Sequence, residues 1–357
     1  MFNITVLTLV DRIACFYSLS PFFTNTDRRF RFTYTADPSW CLERDRNRIL
    51  VLMRQCIKPD VVDTALLSRL RQKYERVVFF HDDAGGGIPR LEVLPYVDLF
   101  YTKALFRDRS LYGRELYGKE LYSDYYHVKY GVTDTDAKRR AVVTDSAELG
   151  KLRLSWNIGA GNYPRRQLRQ RSGVFVSRLT SPAAASLFYL RERFDPQAAL
   201  AGNRGLYPVH ARNGLISRPS ISYQRKLIQE RIAGNPLFLT GSVSQRQFNR
   251  ETADSRIVLS PFGWGELCLR DFETVRSGAL LLKPDMSHLE TWPDVFIPDE
   301  TYVPFSWDAE DLVEKAVHYL DHEGERQRIA GNAARKYRAD LDGLQSRFSS
   351  IMEEITK

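Results

Sequence analysis

Short apolar runs, separated by stretches long enough for a helix, recur along this chain and restrict its fold more than any other feature. ITVLTL (4–9), FRFTYT (30–35), RILVLM (48–53), RVVFFH (76–81) and VDLFYT (97–102) have the length and composition of strands. Between the third and fourth, Val62, Leu66, Leu67 and Leu70 share one face of a helix. A second series follows in GVFVSRL (173–179), PLFLTG (236–241), RIVLSPF (256–262) and GALLLKP (278–284). The last run is apolar without alternation, as suits a parallel strand buried on both faces. At 357 residues the chain exceeds one core and accommodates two units of about 150 residues each. The expected fold is α/β, with two tandem doubly wound, Rossmann-like domains facing across a cleft. The expected bounds are 1–165 and 166–335, with a helix over 336–357 packing back on the first domain.

Residues 103–150 interrupt this pattern. Tyr112, Tyr117 and Tyr122 recur every five residues, a spacing of neither helix nor strand, and are expected in a loop-and-helix insertion that packs its own rings. NIGAGNYPRRQLRQRSG (157–173) has the composition of a connector. DAEDLVEKAVHYLDH predicts a helix capped by Asp308, with Leu312, Val313, Ala316, Val317 and Leu320 as its apolar stripe. A final helical stretch covers about 324–356.

The chemistry concentrates in VLSPFGWGELCLRDFETVRSGALLLKPD, residues 258–285. A helix starting near Gly265 or Glu266 places Cys268, Leu269, Phe272 and Val275 on the sheet side. Glu266, Arg270 and Glu273 then share the opposite side, the two carboxylates about 10 Å apart along the axis. Gly263 and Gly265, around Trp264, let backbone amides approach a ligand, and a helix N-terminus favours a diphosphate. Arg270 adds a cation, and Glu273 can take two ribose hydroxyls. The same three charges also read as helix-surface ion pairs worth a few tenths of a kcal/mol each.

SRIVLSPFGWGELCLRDFETVRSGALLLKPDMSHLETWP (255–293) resembles the donor-binding segment of GT-B-fold glycosyltransferases, particularly bacterial proteins of the "glycosyl transferases group 1" type. The resemblance covers about residues 220–335, and the N-terminal half matches it only in layout. It implies two domains, a nucleotide-sugar as co-substrate, and no further cofactor. Glu273 would hold the nucleotide ribose, while Glu266 and the Gly263–Gly265 loop would lie against the donor sugar and phosphates. Six residues separate Glu266 from Glu273, one fewer than in the family's E-x7-E pattern.

The opposite wall of such a cleft points to FFHDDAGGG, at the end of the fourth apolar run. His81, Asp82 and Asp83 offer a base or a carboxylate for a developing oxocarbenium ion, and Gly85 to Gly87 would admit an acceptor. The same residues also read as a buried strand end and two caps. Arg178 and Arg225 are candidates for diphosphate neutralisation on charge alone. His288 and Lys283, around LLLKPD, read either as donor-facing or as loop residues. Asp134-Thr135-Asp136 has the DxD form, yet no metal site is assigned, since the histidines lack ligand spacing.

A net charge of +8 favours anionic partners. These are a nucleotide-sugar donor, a bacterial surface glycan or glycolipid acceptor, and peripheral contact with the inner face of a membrane, with no nucleic acid expected. The apolar N-terminus is split by Asp11 and Arg12, and no stretch reaches the length of a membrane span, so a cytoplasmic setting is expected. Four cysteines without a CxxC pair fit a reducing compartment. The alternative is a non-catalytic nucleotide- or nucleic-acid-binding protein, using the tyrosines of 112–126 and the basic run 165–171.

Overall fold

In the computed structural model, the apolar runs become strands of two parallel sheets. The structure describes all residues except 58–61, 84–88, 119, 136, 138–139, 162–167 and 191–192. The first unit runs β1 (Phe2–Leu7), α1 (Ala14–Phe23), β2 (Phe30–Thr35), α2 (Pro38–Glu43), β3 (Ile49–Met53), α3 (Thr64–Lys73), β4 (Arg76–His81) and β5 (Leu99–Thr102). It continues through β6 (Ala104–Phe106), α4 (Leu121–Tyr130), α5 (Ser146–Leu149) and β7 (Leu152–Leu154). Its six-stranded sheet has the order β2-β1-β3-β4-β5-β7, parallel throughout.

The chain then passes through α6 (Leu168–Leu179), α7 (Pro196–Gly202), β8 (Tyr207–His210), α8 (Pro219–Ile232), β9 (Phe238–Leu239), α9 (Gln245–Ala253) and β10 (Ser255–Leu259). After these come α10 (Leu269–Ser277), β11 (Leu280–Pro284), β12 (Leu289–Thr291), β13 (Val303–Phe305), α11 (Leu312–Asp321), α12 (Glu323–Asp342) and α13 (Leu344–Ile355). The second sheet reads β13-β11-β10-β8-β9. Counted from β8 its winding is 2-1-3-4-5, the same as in the first sheet. Each sheet therefore has a crevice where its strand order reverses, at β1/β3 and at β8/β10.

Several expectations are corrected. Residues 173–179 form part of α6, not a strand. Together with the following turn this helix packs on the first unit, where Val174, Ala185 and Phe188 join Phe16 and Phe22 in one apolar cluster. β8 takes the place of the missing strand; Pro208, near its start, hides it in the sequence. Asp308 does not cap α11. Asp311 stands at that position, while Asp308 accepts a 2.7 Å bond from Lys129 of the insertion. The insertion's tyrosines do not simply pack on one another. Tyr122 stacks on Phe262 of the second unit at 4.9 Å, and Tyr126 donates to the Trp307 carbonyl at 2.5 Å. Tyr112, Tyr122 and Tyr126 are buried, whereas Tyr117 and Tyr125 are partly exposed.

Among the described residues the two units meet along several contacts. β6 pairs antiparallel with β12. The insertion packs on α8, where Gln224 donates to the Tyr126 hydroxyl at 3.1 Å. α13 returns to the first sheet, where Phe348 meets Phe22 at 5.0 Å and Glu354 accepts from Tyr101 (2.5 Å) and Arg153 (2.7 Å). At the connector, Gly159 lies directly under the Phe272 ring of α10, and a Cβ there would stand 2.3 Å from the ring. The space, rather than the backbone angle, demands glycine. Gly159→Ala should destabilise the protein by about 1–3 kcal/mol in urea unfolding, with part of the loss restored by adding Phe272→Leu.

Candidate functional site

The second-sheet crevice is built around the loop between β10 and α10, and one carboxylate shapes that loop. Asp271 accepts from the Ser260 hydroxyl at 2.6 Å and the Cys268 amide at 2.8 Å, tying the first residue of the loop to its last. Lys283 of β11 meets the same carboxylate at 3.1 Å, and neither side chain is exposed. The Lys283 ammonium also lies over the Phe262 ring at 5.2 Å. Because Asp271 closes a capping box on Cys268, the helix begins at Leu269 and not at Gly265 or Glu266. Glu266 is thus off the helical face that carries Arg270 and Glu273, which corrects the expected three-residue array.

Residues 261–267 make a tight turn instead. Gly263 donates to the Gly265 carbonyl at 3.0 Å, and its own carbonyl accepts from Tyr122 at 2.8 Å. Trp264 projects outward, 63% exposed, whereas Glu266 is wholly buried beneath. Its Oε1 lies 3.9 Å from His288 Nε2. The Tyr122 hydroxyl that holds the turn accepts in turn from Arg218 at 2.9 Å, and Arg218 pairs with buried Glu120 and Asp134. Asp134 also caps α8, accepting from the Ser220 amide at 2.7 Å, so this half of the DxD is a structural anchor. Asp136 lies outside the described residues, as do Gly85–Gly87 and, in the basic run, Arg165 and Arg166.

Arg270 and Arg225 frame the crevice. Arg270 bonds the Asn213 side chain and the Arg212 carbonyl (3.2 Å), and its guanidinium covers the Phe248 ring at 5.3 Å. Arg225 donates to the Gly214 carbonyl at 2.6 Å. Burial pushes the proton affinity of both below the ordinary guanidinium range, and Arg225 pushes Arg270 further the same way. Two partly buried cations this close, beside a glycine turn, form a site prepared for an anion. Glu273, in the next turn of α10, is exposed. Arg178 does not join them; it donates to the Asp11 carbonyl at 2.5 Å, on the first unit.

The facing wall comes from the end of β4. Asp82 is fully engaged by Arg54 (3.0 Å), Gln55 (2.5 Å) and Ser18, and so serves as a clasp on the β1/β3 crevice. Asp83 is 3.7 Å from Arg54 and partly open. His81 is buried, and burial holds its pKa well below the usual value, with Arg54 acting in the same direction and Asp83 against it. The imidazole is therefore neutral at pH 7. Lys103, which the sequence did not single out, lies between the walls. Burial lowers its pKa, while Asp83, Asp82 and Glu266 together oppose that fall, so carboxylates of both units act on one ammonium.

Residues 218–350, a span that includes α8, the crevice loop, α10 and β11, match the family model described as Glycosyl transferase-like. A search of curated proteins returns no match. Among solved structures the chain is similar to an α-glucosyltransferase in complex with UDP, at 11% identity and TM-score 0.44, covering 100% of both chains. It is also similar to Anabaena Alr3699/HepE in complex with UDP and glucose, at 8% identity and TM-score 0.45, covering 99% and 100%. The C-terminal domain of a glycosyl transferase group 1 family protein (LpcC) from Francisella tularensis is similar over 33% of this chain and 60% of its own, at 14% identity and TM-score 0.24. None of these likenesses assigns a role to a residue.

Lys283→Met leaves the Asp271 charge buried without its ammonium and should cost about 3–5 kcal/mol in chemical denaturation. A second expectation concerns His210, at the end of β8, whose pKa burial lowers to about 4 from 6.5. Below pH 6.5 the unfolded chain takes up a proton that the fold excludes, so stability falls as pH drops towards about 4, by at most about 3 kcal/mol from this group. His210→Gln should flatten that part of the stability–pH curve.

Proposed function

We propose that the chain transfers a glycosyl group from a nucleoside-diphosphate sugar to an acceptor hydroxyl. The observation that carries this is the paired Arg225 and Arg270 beside the Gly263–Gly265 turn, within the matched residues 218–350 and at the β8/β10 switch point. The donor diphosphate lies against the two guanidiniums, and Glu273 takes the ribose hydroxyls. As the bond from the sugar to the β-phosphate oxygen breaks, charge grows on that oxygen and the guanidiniums stabilise it. Neutral His81 accepts the proton that the acceptor hydroxyl loses as its oxygen bonds to the sugar carbon. Buried Glu266, with His288 beside it, supports the sugar side of the crevice, and Lys103 keeps the carboxylates of both walls in register. Asp83 steadies positive charge developing on the sugar, and no metal takes part.

The acceptor in this reading is a bacterial surface glycan or glycolipid, approached at the inner face of the membrane. Supporting that approach, α6 exposes Leu168, Phe175 and Leu179 along one stripe, with Arg169, Arg171 and Arg178 on the same helix. Among the described residues no helix is long and apolar enough to cross a membrane.

The test is release of UDP, GDP or CMP from a panel of the corresponding nucleotide-linked sugars, with and without glycolipid acceptors. Arg270→Ala should lower kcat/KM by about 10–100-fold, equivalent to one charged contact of roughly 1.5–3 kcal/mol. His81→Gln should lower kcat and leave donor affinity unchanged, and EDTA should leave the rate unaltered. No release with any donor would overturn the reading.

A further inference from the structure

A second basic cavity lies at the opposite end of the second sheet from the crevice, with a volume of about 480 Å³. Strand β10 enters it at Arg256, β11 at Leu280 and α10 at its terminal Gly278, while α12 closes it with its first three turns. Five arginines line it (Arg204, Arg256, Arg326, Arg328 and Arg335), against Glu323 as the one acidic lining residue. Arg204 is taken up by Asp254 at 2.8 Å. Arg256, Arg328 and Arg335 bond neutral groups: the Gly205 carbonyl (2.9 Å), the Asp299 carbonyl (3.4 Å) and the Asn332 side chain (2.6 Å). Arg326 is 7% exposed, donates to the Tyr319 carbonyl at 2.9 Å, and reaches Glu323 only at 3.6 Å.

Arg326 has a structural role, since its guanidinium caps the last carbonyls of α11 at Tyr319 (2.9 Å) and Leu320 (3.3 Å), whereas the bonds of Arg256, Arg328 and Arg335 go to neutral groups and not to a carboxylate. A buried cation in the first turns of a helix stands at the positive end of the helix dipole, where a carboxylate would be favoured. Burial and the neighbouring Arg256 both depress the proton affinity of Arg326. Like charges converging on a cavity with little counter-charge are resolved by an anion, and guanidinium forks match the oxygens of a phosphate group. The volume is within the range that holds a mononucleotide-sized ligand, roughly 300–1,000 Å³.

We propose that this cavity is a second anion site that binds a phosphate-bearing small molecule, separate from the crevice between β8 and β10. Helix α10 runs from the crevice at Leu269 to this cavity at Gly278, so one rigid element touches both sites. The site does not depend on the transfer reaction, and its test needs no activity.

Inorganic pyrophosphate is the probe, titrated calorimetrically at 150 mM NaCl. The wild type should show two sites, and Arg225→Ala/Arg270→Ala should retain one. Arg256→Glu/Arg335→Glu, both exposed positions that should leave the melting temperature unchanged, should lose that one by at least tenfold in affinity. Combining all four substitutions should abolish binding. The proposal is overturned if Arg256→Glu/Arg335→Glu titrates like the wild type, or if Arg225→Ala/Arg270→Ala binds no pyrophosphate.

Discussion

The crevice depends on one buried ion pair. Asp271 and Lys283 sit without solvent between β10, β11 and α10, and the Asp271 carboxylate also fixes both ends of the intervening loop. A charge placed so deep is tolerated because both carboxylate oxygens have donors, Ser260 and Lys283 on one and the Cys268 amide on the other; the same bonds hold the Gly263–Gly265 turn in one shape. Rigidity of this kind is what a site for a flexible, charged ligand needs, since the ordering entropy is met during folding and not during binding.

A second polar network reaches the same turn from the other side. Glu120, Asp134, Arg218 and Tyr122 connect the insertion of the first unit to the start of α8 and then to the Gly263 carbonyl. The segment that interrupts the alternating pattern thus serves as scaffolding. It links the wall that carries His81 to the wall that carries Arg270.

The alternation of apolar runs was enough to read two doubly wound parallel sheets, because buried parallel strands require that pattern. The runs at 30–35, 48–53 and 76–81 fall on β2, β3 and β4 within one residue. β8 was illegible because a four-residue strand containing proline carries no periodic signal. GVFVSRL misled for the opposite reason: its branched and aromatic residues suit a strand, but Phe175 and Leu179 stand exposed on a helix. In the crevice, glycines and charges were legible by type, and their grouping was not. Asp271 carries no motif in the sequence; its bond to the Cys268 amide sets the helix start at Leu269 and separates Glu266 from Arg270. Lys103, Tyr122 and Arg218 carry no local motif; each acts through a group distant in sequence, Glu266 for Lys103, the Gly263 carbonyl for Tyr122 and Glu120 for Arg218.

The return of α13 to the first sheet bears on how the chain is made. Phe348, Ile351, Met352 and Ile355 complete a core whose other members include Ile4, Val6 and Phe22, so one face of the N-terminal sheet is only partly covered, by α1 and the α6 segment, until residues 344–355 have been synthesised. The usual vectorial order, in which an early domain matures while a later one emerges, is thereby altered: the first sheet's core is completed last, whereas the core of the second sheet, among the described residues, contains no residue of α13.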